Sequence, residues 1–183
     1  TMSMPLLEYF SADAVRRLPD DGKRYETVHG ELLVTPAPGG MHQLVLSRVF
    51  RILDRYLSAH SIEQLLWSPA DISWDDDTLV QPDLFVADLD AFLTSGKWSD
   101  VTTLHLVVEA LSPSSIRADR FTKRRLYQEQ RIPTYWVVDI DNAQVEVWTP
   151  EAHFPVVERE TLRWRHPAIA EECVVEVGEI FWR

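Results

Sequence analysis

The segment Leu104–Tyr127, LHLVVEALSPSSIRADRFTKRRLY, decides how the rest of the chain is read. An apolar run of strand length ends at a carboxylate, Glu109, and a Ser/Pro turn follows. A helix then opens with Asp119, Lys123 and Tyr127 at i, i+4 and i+8, which share one face of a regular helix. A carboxylate among Leu, Val and Ala is costly to ionise, because burial disfavours the charged form unless a counter-charge compensates it. The sequence offers two compensations. Lys123 can lie over Glu109 as an ion pair, or both can join Asp83 of Gln81-Pro82-Asp83 around a metal ion.

Working outward, Pro133 closes the helix near Arg131, and Thr134–Ile140 (TYWVVDI) is a second apolar strand. Strand, helix and strand together predict a right-handed β-α-β crossover. Asp141-Asn142 turns the chain into an antiparallel strand at Ala143–Trp148. Beyond Pro150 the pattern thins to short strands at Val156-Val157, Thr161–Trp164 and Cys173–Val177 and an apolar Ile180-Phe181-Trp182. This tail is expected to cover a sheet edge or to form a dimer contact.

Upstream, Met41–His60 predicts the longest helix. Val45, Val49, Ile52 and Tyr56 form a stripe, with Leu46, Phe50, Leu53 and Leu57 beside it. So wide an apolar face requires a sheet to pack on, and His42 stands in the first turn beside the loop Thr35–Gly40. Ser11 is a helix N-cap for a short helix to Leu18, and Tyr25–Val28 and Glu31–Val34 form a hairpin about His29-Gly30. Leu65–Trp67, Asp71–Trp74, Leu79-Val80 and Asp83–Ala87 read as extended, and Asp88–Val101 as a loop with a short helical piece. Asp75-Asp76-Asp77 reads as a solvated turn, because the alternating acidic residues and sixth-place Gly of a calcium loop are missing.

A chain of 183 residues, 45% of them hydrophobic, suits one domain over residues 1–183 with a sizeable core. A single cysteine excludes an intrachain disulfide and a thiolate zinc cluster, leaving Cys173 as a core or interface residue. No apolar run approaches the ~18 residues a membrane span requires. The N-terminal TMSMPLLEYF lacks a basic segment followed by an apolar one, and Thr1 reads as an expression remnant. A cytoplasmic protein with no membrane association is expected. The net charge of −11 argues against a scaffold that grips nucleic acid chiefly through phosphates. It leaves room for a site whose carboxylates hold Mg²⁺, with nucleic acid bound weakly or by local steering, since the ion brings its own positive charge.

Several motifs arrive in order: GEL at Gly30–Leu32, His42 at the head of the long helix, PDL at Pro82–Leu84, VEALSPSS at Val108–Ser115, then Asp119, Lys123 and Tyr127, and IPTYWVVD at Ile132–Asp139. In these the chain resembles the Uma-two family of restriction-endonuclease-like proteins, over Tyr25–Phe181. That family belongs to the PD-(D/E)XK nuclease superfamily. The resemblance implies an α/β (mixed α+β) fold: a restriction-endonuclease-like core with a central mixed β-sheet flanked by helices, here carrying an N-terminal β-hairpin and a C-terminal β-rich extension. It also implies Asp83 and Glu109 as metal ligands for Mg²⁺, with Mn²⁺ able to substitute, and metal-dependent hydrolysis of nucleic-acid phosphodiesters, DNA first.

The sequence departs from the superfamily two residues after Glu109, where Leu111 replaces the lysine. Lys123 is the candidate to return that charge from the following helix. The resemblance further implies Glu31 as a third acidic residue and His42 as a contact to phosphate or a proton carrier. It is also compatible with a homodimer, and the acidic charge with a basic protein partner. The competing function is a nuclease fold kept as a non-catalytic binding or regulatory module, which the acidic balance and Leu111 would suit. On residue type alone Asp83 is a strand-entry residue, Lys123 solvated helix surface, His42 a helix-end residue, Tyr127 core, and the tryptophans packing rather than base-stacking platforms.

Overall fold

The computed structural model describes residues 8–182, so Thr1 and the start of the N-terminal segment lie outside it. The first elements are α1 (Ala12–Arg16), capped by Ser11 Oγ accepting from the Ala14 amide at 3.1 Å, and the hairpin strands β1 (Arg24–Val28) and β2 (Glu31–Thr35). His29 and Gly30 between them both have positive φ, 49° and 84°, the signature of a type I′ turn. A Cβ on Gly30 would lie 2.3 Å from the Tyr9 ring, so glycine is required there twice over.

The long helix α2 (Gly40–Ser58) leads to β3 (Leu65–Trp67), β4 (Ile72–Asp75), β5 (Thr78–Val80) and β6 (Leu84–Ala87). Then come α3 (Asp90–Ser95), a 3₁₀ turn at Trp98–Asp100, and β7 (Leu104–Ala110). The crossover is a π-helical segment, Ala118–Lys123, that runs into α4 (Arg124–Glu129). The chain closes with β8 (Tyr135–Asp139), β9 (Gln144–Trp148), β10 (Val156–Glu158), β11 (Thr161–Trp164), β12 (Cys173–Glu176) and α5 (Gly178–Phe181).

Six strands form the central sheet in the order β10-β9-β8-β7-β6-β3. Only β7 and β8 are parallel, as the crossover demands, and the other neighbours are antiparallel, so the sheet is mixed. The β6/β7 register pairs Leu84 with Val108, which sets the next position outward, Asp83, beside Glu109. Alternation along β7 sends Leu106, Val108 and Ala110 to one face of the sheet and Val107, Glu109 and Leu111 to the other.

On the first face lies α2. Its buried line is Val45, Val49, Leu53 and Leu57, strictly four apart, with Ile52 and Tyr56 partly buried beside it. On the second face lies the crossover helix, with Leu126 and Tyr127 packed on Val107, Tyr135 and Val137. That helix therefore sits directly above Glu109.

The expected N-terminal hairpin is present and is part of a larger unit: β1 also pairs with β5, giving a second, four-stranded sheet in the order β2-β1-β5-β4. The C-terminal extension first covers a sheet edge, as expected: β10 pairs with β9 and becomes the edge strand of the central sheet. Its hairpin β11-β12 and α5 bury Leu162, Trp164, Val175 and Ile180 in the same cluster as the α2 stripe, and Arg48 Nη1 donates to the Ile180 carbonyl at 3.1 Å. An apolar stripe as wide as that of α2 needs cover on two sides, and the sheet supplies only one. Cys173 is buried in this cluster. Asp75–Asp77 is an exposed turn, as expected.

Leu53 is fully buried and Leu93 is 77% exposed. Leu53→Ala should cost about 2–5 kcal/mol in urea unfolding, and Leu93→Ala less than about 0.5 kcal/mol. Equal effects would contradict this core.

Candidate active site

Three elements bring charge to one end of the central sheet. The β6/β7 pair presents Asp83 and Glu109 side by side, tied by two bonds: the Ala110 amide donates to Asp83 Oδ2 at 2.9 Å, and the Asp83 amide donates to Glu109 Oε2 at 3.4 Å. From above, the crossover helix lowers Lys123, whose Nζ lies 2.5 Å from Glu109 Oε1 and 3.0 Å from Glu26 Oε1. Asp119 Oδ1 is 3.9 Å from the same ammonium, and Tyr127 Oη donates to Glu109 Oε1 at 3.0 Å. From the side, β1 adds Arg24 and Glu26, two residues apart and so on one face of the strand. Arg24 Nη1 meets Asp83 Oδ1 at 2.8 Å, and Glu26 Oε1 also accepts from the Gln81 amide at 2.7 Å.

Lys123 is 1% exposed, so the solvated-surface reading of this residue is wrong and its stem runs inward. Asp119, Lys123 and Tyr127 all reach the cluster, through a helix that is not regular. The π turns over Ala118–Lys123 hold one residue more than α-helical turns would. Leu111, in the superfamily lysine's place, faces the same side of the sheet as Glu109 and is buried in the apolar cluster below the crossover helix. In this chain the cation beside Glu109 comes from the helix, and the strand position holds a hydrocarbon.

His42 also arrives where it was expected. Its Nε2 donates to the Ala110 carbonyl at 3.0 Å and lies 3.3 Å from Asp83 Oδ2. A carbonyl can only accept, so the proton is on Nε2. Nδ1 is buried with no protein partner. Glu31 does not join the cluster. It is exposed at the turn end of β2, opposite Val28, and Glu26 on the neighbouring strand takes the acidic position instead. Glu31 shares its face of the hairpin with Val28 and Glu26, but it lies at the turn end of the outer strand, whereas Glu26 sits mid-strand on β1, next to the cluster.

Arg24 and Glu26 were missed. The signal for them was present as opposite charges at i and i+2 in Arg24-Tyr25-Glu26-Thr27, a strand face too polar to be core and too ordered to be surface.

Glu26, Asp83, Glu109 and Asp119 are each at most 4% exposed and face two permanent cations, Arg24 and Lys123. Two negative charges are left uncompensated when all four are ionised. The protonation equilibria respond accordingly. Burial opposes ionisation of Asp83, but the His42 hydrogen bond and the charges of Arg24, His42 and Lys123 outweigh it and hold its pKa low. Burial raises Glu109 well above the usual range, with Lys123 opposing and Asp83, Asp119 and Glu26 reinforcing. Asp119 is pushed up to about 6, first by burial, with Lys123 and a Ser115 hydrogen bond opposing. Burial lowers the Lys123 pKa, but Glu109, Glu26 and Asp119 overcome it, so the ammonium stays charged. For His42, burial is outweighed by Asp83 and the net shift is upward.

Among the described residues no three His, Cys, Asp or Glu side chains converge as a ready-made metal cage. Mg²⁺ does not need one, since it keeps several waters and is commonly held by one or two carboxylates together with substrate phosphate. The donor set fits on that basis. Asp83 and Glu109 are adjacent, Glu109 Oε2 has only its long amide bond, and the surplus of two negative charges equals what one divalent ion neutralises.

The cluster opens on one side to a cleft of about 690 Å³. Asp83, Arg24, His42 and Gln81 meet it on the inner side, and Lys23, Arg51, Pro36, Pro69, Phe50 and Trp67 are among its other walls.

A profile of the family described as "Putative restriction endonuclease" (Uma2) matches residues 12–177. The chain belongs to that family. Among solved structures, the crystal structure of "a putative nuclease belonging to DUF820" from Anabaena variabilis is similar in fold, with a TM-score of 0.72 at 18% identity over 94% of this chain and 97% of that one. No curated protein matches the chain. The Uma2 sequence order is thus found on a mixed sheet flanked by helices. No helix among the described residues is long and apolar enough to cross a membrane.

Asp119 supplies a pH test. Its folded pKa of about 6 lies above the ordinary 3.8, so the folded state holds the extra proton between these values. Its stabilising contribution is complete below about pH 4 and is lost as pH rises through about 6. Asp119→Asn should therefore raise the melting temperature at neutral pH, with the gain vanishing near pH 4. A constant difference across pH would contradict the assignment. Lys123→Met, which strands three buried carboxylates, should cost about 3–5 kcal/mol by denaturant titration at neutral pH.

Proposed function

We propose that this Uma2 protein is a metal-dependent endonuclease that hydrolyses phosphodiester bonds of nucleic acid, with DNA the first substrate to test. The supporting observation is the adjacency of Asp83 and Glu109 across β6/β7, with a buried lysine on Glu109 and a cation-lined cleft beside Asp83. In this reading Asp83 and Glu109 hold Mg²⁺, or Mn²⁺ in its place. When bound, the ion supplies charge to the phosphoryl group and lowers the pKa of water.

The chain's own groups do the rest. Lys123 keeps its positive charge against Glu109 and offsets the charge that grows on the phosphoryl oxygens. Tyr127 donates to Glu109 Oε1 and so leaves Oε2 as the oxygen free to bind. Arg24 and His42 fix Asp83 from two sides. Nδ1 of His42 is the ring atom left to take up a proton, and the upward shift of its pKa favours that uptake. The net charge of −11 repels a polyanion at long range, so binding rests on the local cations Lys23, Arg24 and Arg51.

A second reading, a binding module without catalysis, is favoured by one observation: both oxygens of Asp83 already have protein donors. Calorimetric titration with Mn²⁺ separates the two. Binding that is lost in Glu109→Gln supports the enzyme, and no binding supports the module. With Mg²⁺ or Mn²⁺ present, cleavage of DNA or RNA should be abolished by Asp83→Asn and by Glu109→Gln. Lys123→Met, in preparations shown by circular dichroism to be folded, should lower kcat by about 10²–10³-fold. Wild-type protein that cleaves no nucleic acid with either ion would end the proposal.

A further inference from the structure

The cleft beside Asp83 has walls unlike those of a groove built only for phosphates. Trp67 is the last residue of β3, the edge strand of the central sheet, and pairs in register with Leu84. The next residue, Ser68, donates its amide to the carbonyl of Asp83 at 3.2 Å, so Trp67 stands one position along the ladder from the aspartate. The Trp67 indole is 56% exposed and rests edge-on against Phe50 of α2, with ring centroids 5.5 Å apart. Pro36, Pro38, Leu46 and Pro69 continue this apolar wall. Trp67 is a large aromatic left in water beside a charged cluster, whereas Trp136, 1% exposed, packs in the core.

The charges of the cleft are complementary to a polyanion. Lys23, Arg24 and Arg51 line it against a single acid, Asp83, in a chain whose overall balance is strongly negative. Arg51 makes no ion pair among the described residues, and Lys23 has only a loose one, 3.9 Å to Asp21. Cations on the rim and an aromatic, proline-lined wall form the pairing that single-stranded nucleic acid requires, since each base offers a face to stack and each phosphate a charge. A duplex offers phosphates and groove edges on its outside and keeps its base faces stacked within.

We infer that this cleft is a nucleotide subsite in which an unpaired base stacks on Trp67, with Lys23 and Arg51 meeting the flanking phosphates, so that the protein selects single-stranded or locally unpaired nucleic acid. The inference rests on the nuclease reading for its biological sense, but binding and cleavage are measured separately. The volume of about 690 Å³ is within the range of small-ligand pockets and admits a nucleotide, not a helix.

The test is fluorescence anisotropy with an end-labelled oligothymidylate, a hairpin duplex of equal length, and an abasic strand of equal charge. Chelator is present, so that nothing is cut, and ionic strength is low. The wild type should bind the single strand about ten-fold more tightly than the hairpin or the abasic strand. Trp67→Ala should erase that preference while leaving abasic binding unchanged, and Trp67→Phe should retain most of it. Arg51→Ala should weaken all three probes alike. Trp67 is more than half exposed, so its removal leaves the core intact, which a melting curve verifies.

Equal or tighter binding of the duplex, an unaltered preference in Trp67→Ala, or no binding of any probe overturns the inference. Metal-dependent cleavage of duplex that ignores Trp67 would leave the nuclease reading standing and remove this one. Trp67-dependent binding without cleavage under any ion would do the reverse.

Discussion

The contact between Lys123 and Glu109 constrains the molecule more than any other. Each is at most 1% exposed, and neither could be left alone at that depth without a cost of several kcal/mol. Satisfying the pair fixes the height of the crossover helix above β7 and the inward face of β1, which brings Glu26 as the second partner of the ammonium. It also fixes the orientation of Tyr127, whose hydroxyl would otherwise be an unpartnered polar group in the apolar layer. The two sheets meet here because the charges must.

That arrangement is satisfied in pairs and unbalanced as a whole. Arg24 answers Asp83 and Lys123 answers Glu109, yet Glu26 and Asp119 remain as surplus charge. The surplus makes the weakest acids harder to ionise, and the upward shift of Glu109 and Asp119 expresses this. A cation of charge two would relieve the same strain by another route. A proton and a divalent ion would thus compete for the same carboxylates, which would couple stability to any ion the cluster holds.

Much of this was legible in the sequence. The apolar runs at Leu104–Ala110 and Tyr135–Asp139 and the wide stripe of Met41–His60 are long, periodic signals, and the elements stand within a few residues of where periodicity puts them. Glu109 stands out because it interrupts an apolar run; Asp83, Lys123 and His42 are named through the ordered motifs of the resemblance, and the geometry brings all four side chains together. The companions Arg24 and Glu26 depend on β1 docking over the end of another sheet, a long-range event that leaves little local trace. Glu31 shares a face with Glu26 but stands on the edge strand at the turn end, and spacing alone does not reveal which hairpin strand lies inside the sheet. The exposure of Trp67 is not legible in the sequence, because residue type cannot tell an edge strand from a central one.

The π-helical stretch at Ala118–Lys123 has a consequence for how this chain is compared with others. One surplus residue in those turns rotates everything downstream by roughly a quarter of a turn, about 100°. The phase of the helix before Ala118 therefore does not predict the phase after Lys123. A relative whose crossover helix is regular would need a one-residue gap here for its own lysine to align. Without that gap an alignment would score Lys123 against a residue pointing elsewhere, and the cation that this chain carries on its helix would be read as missing.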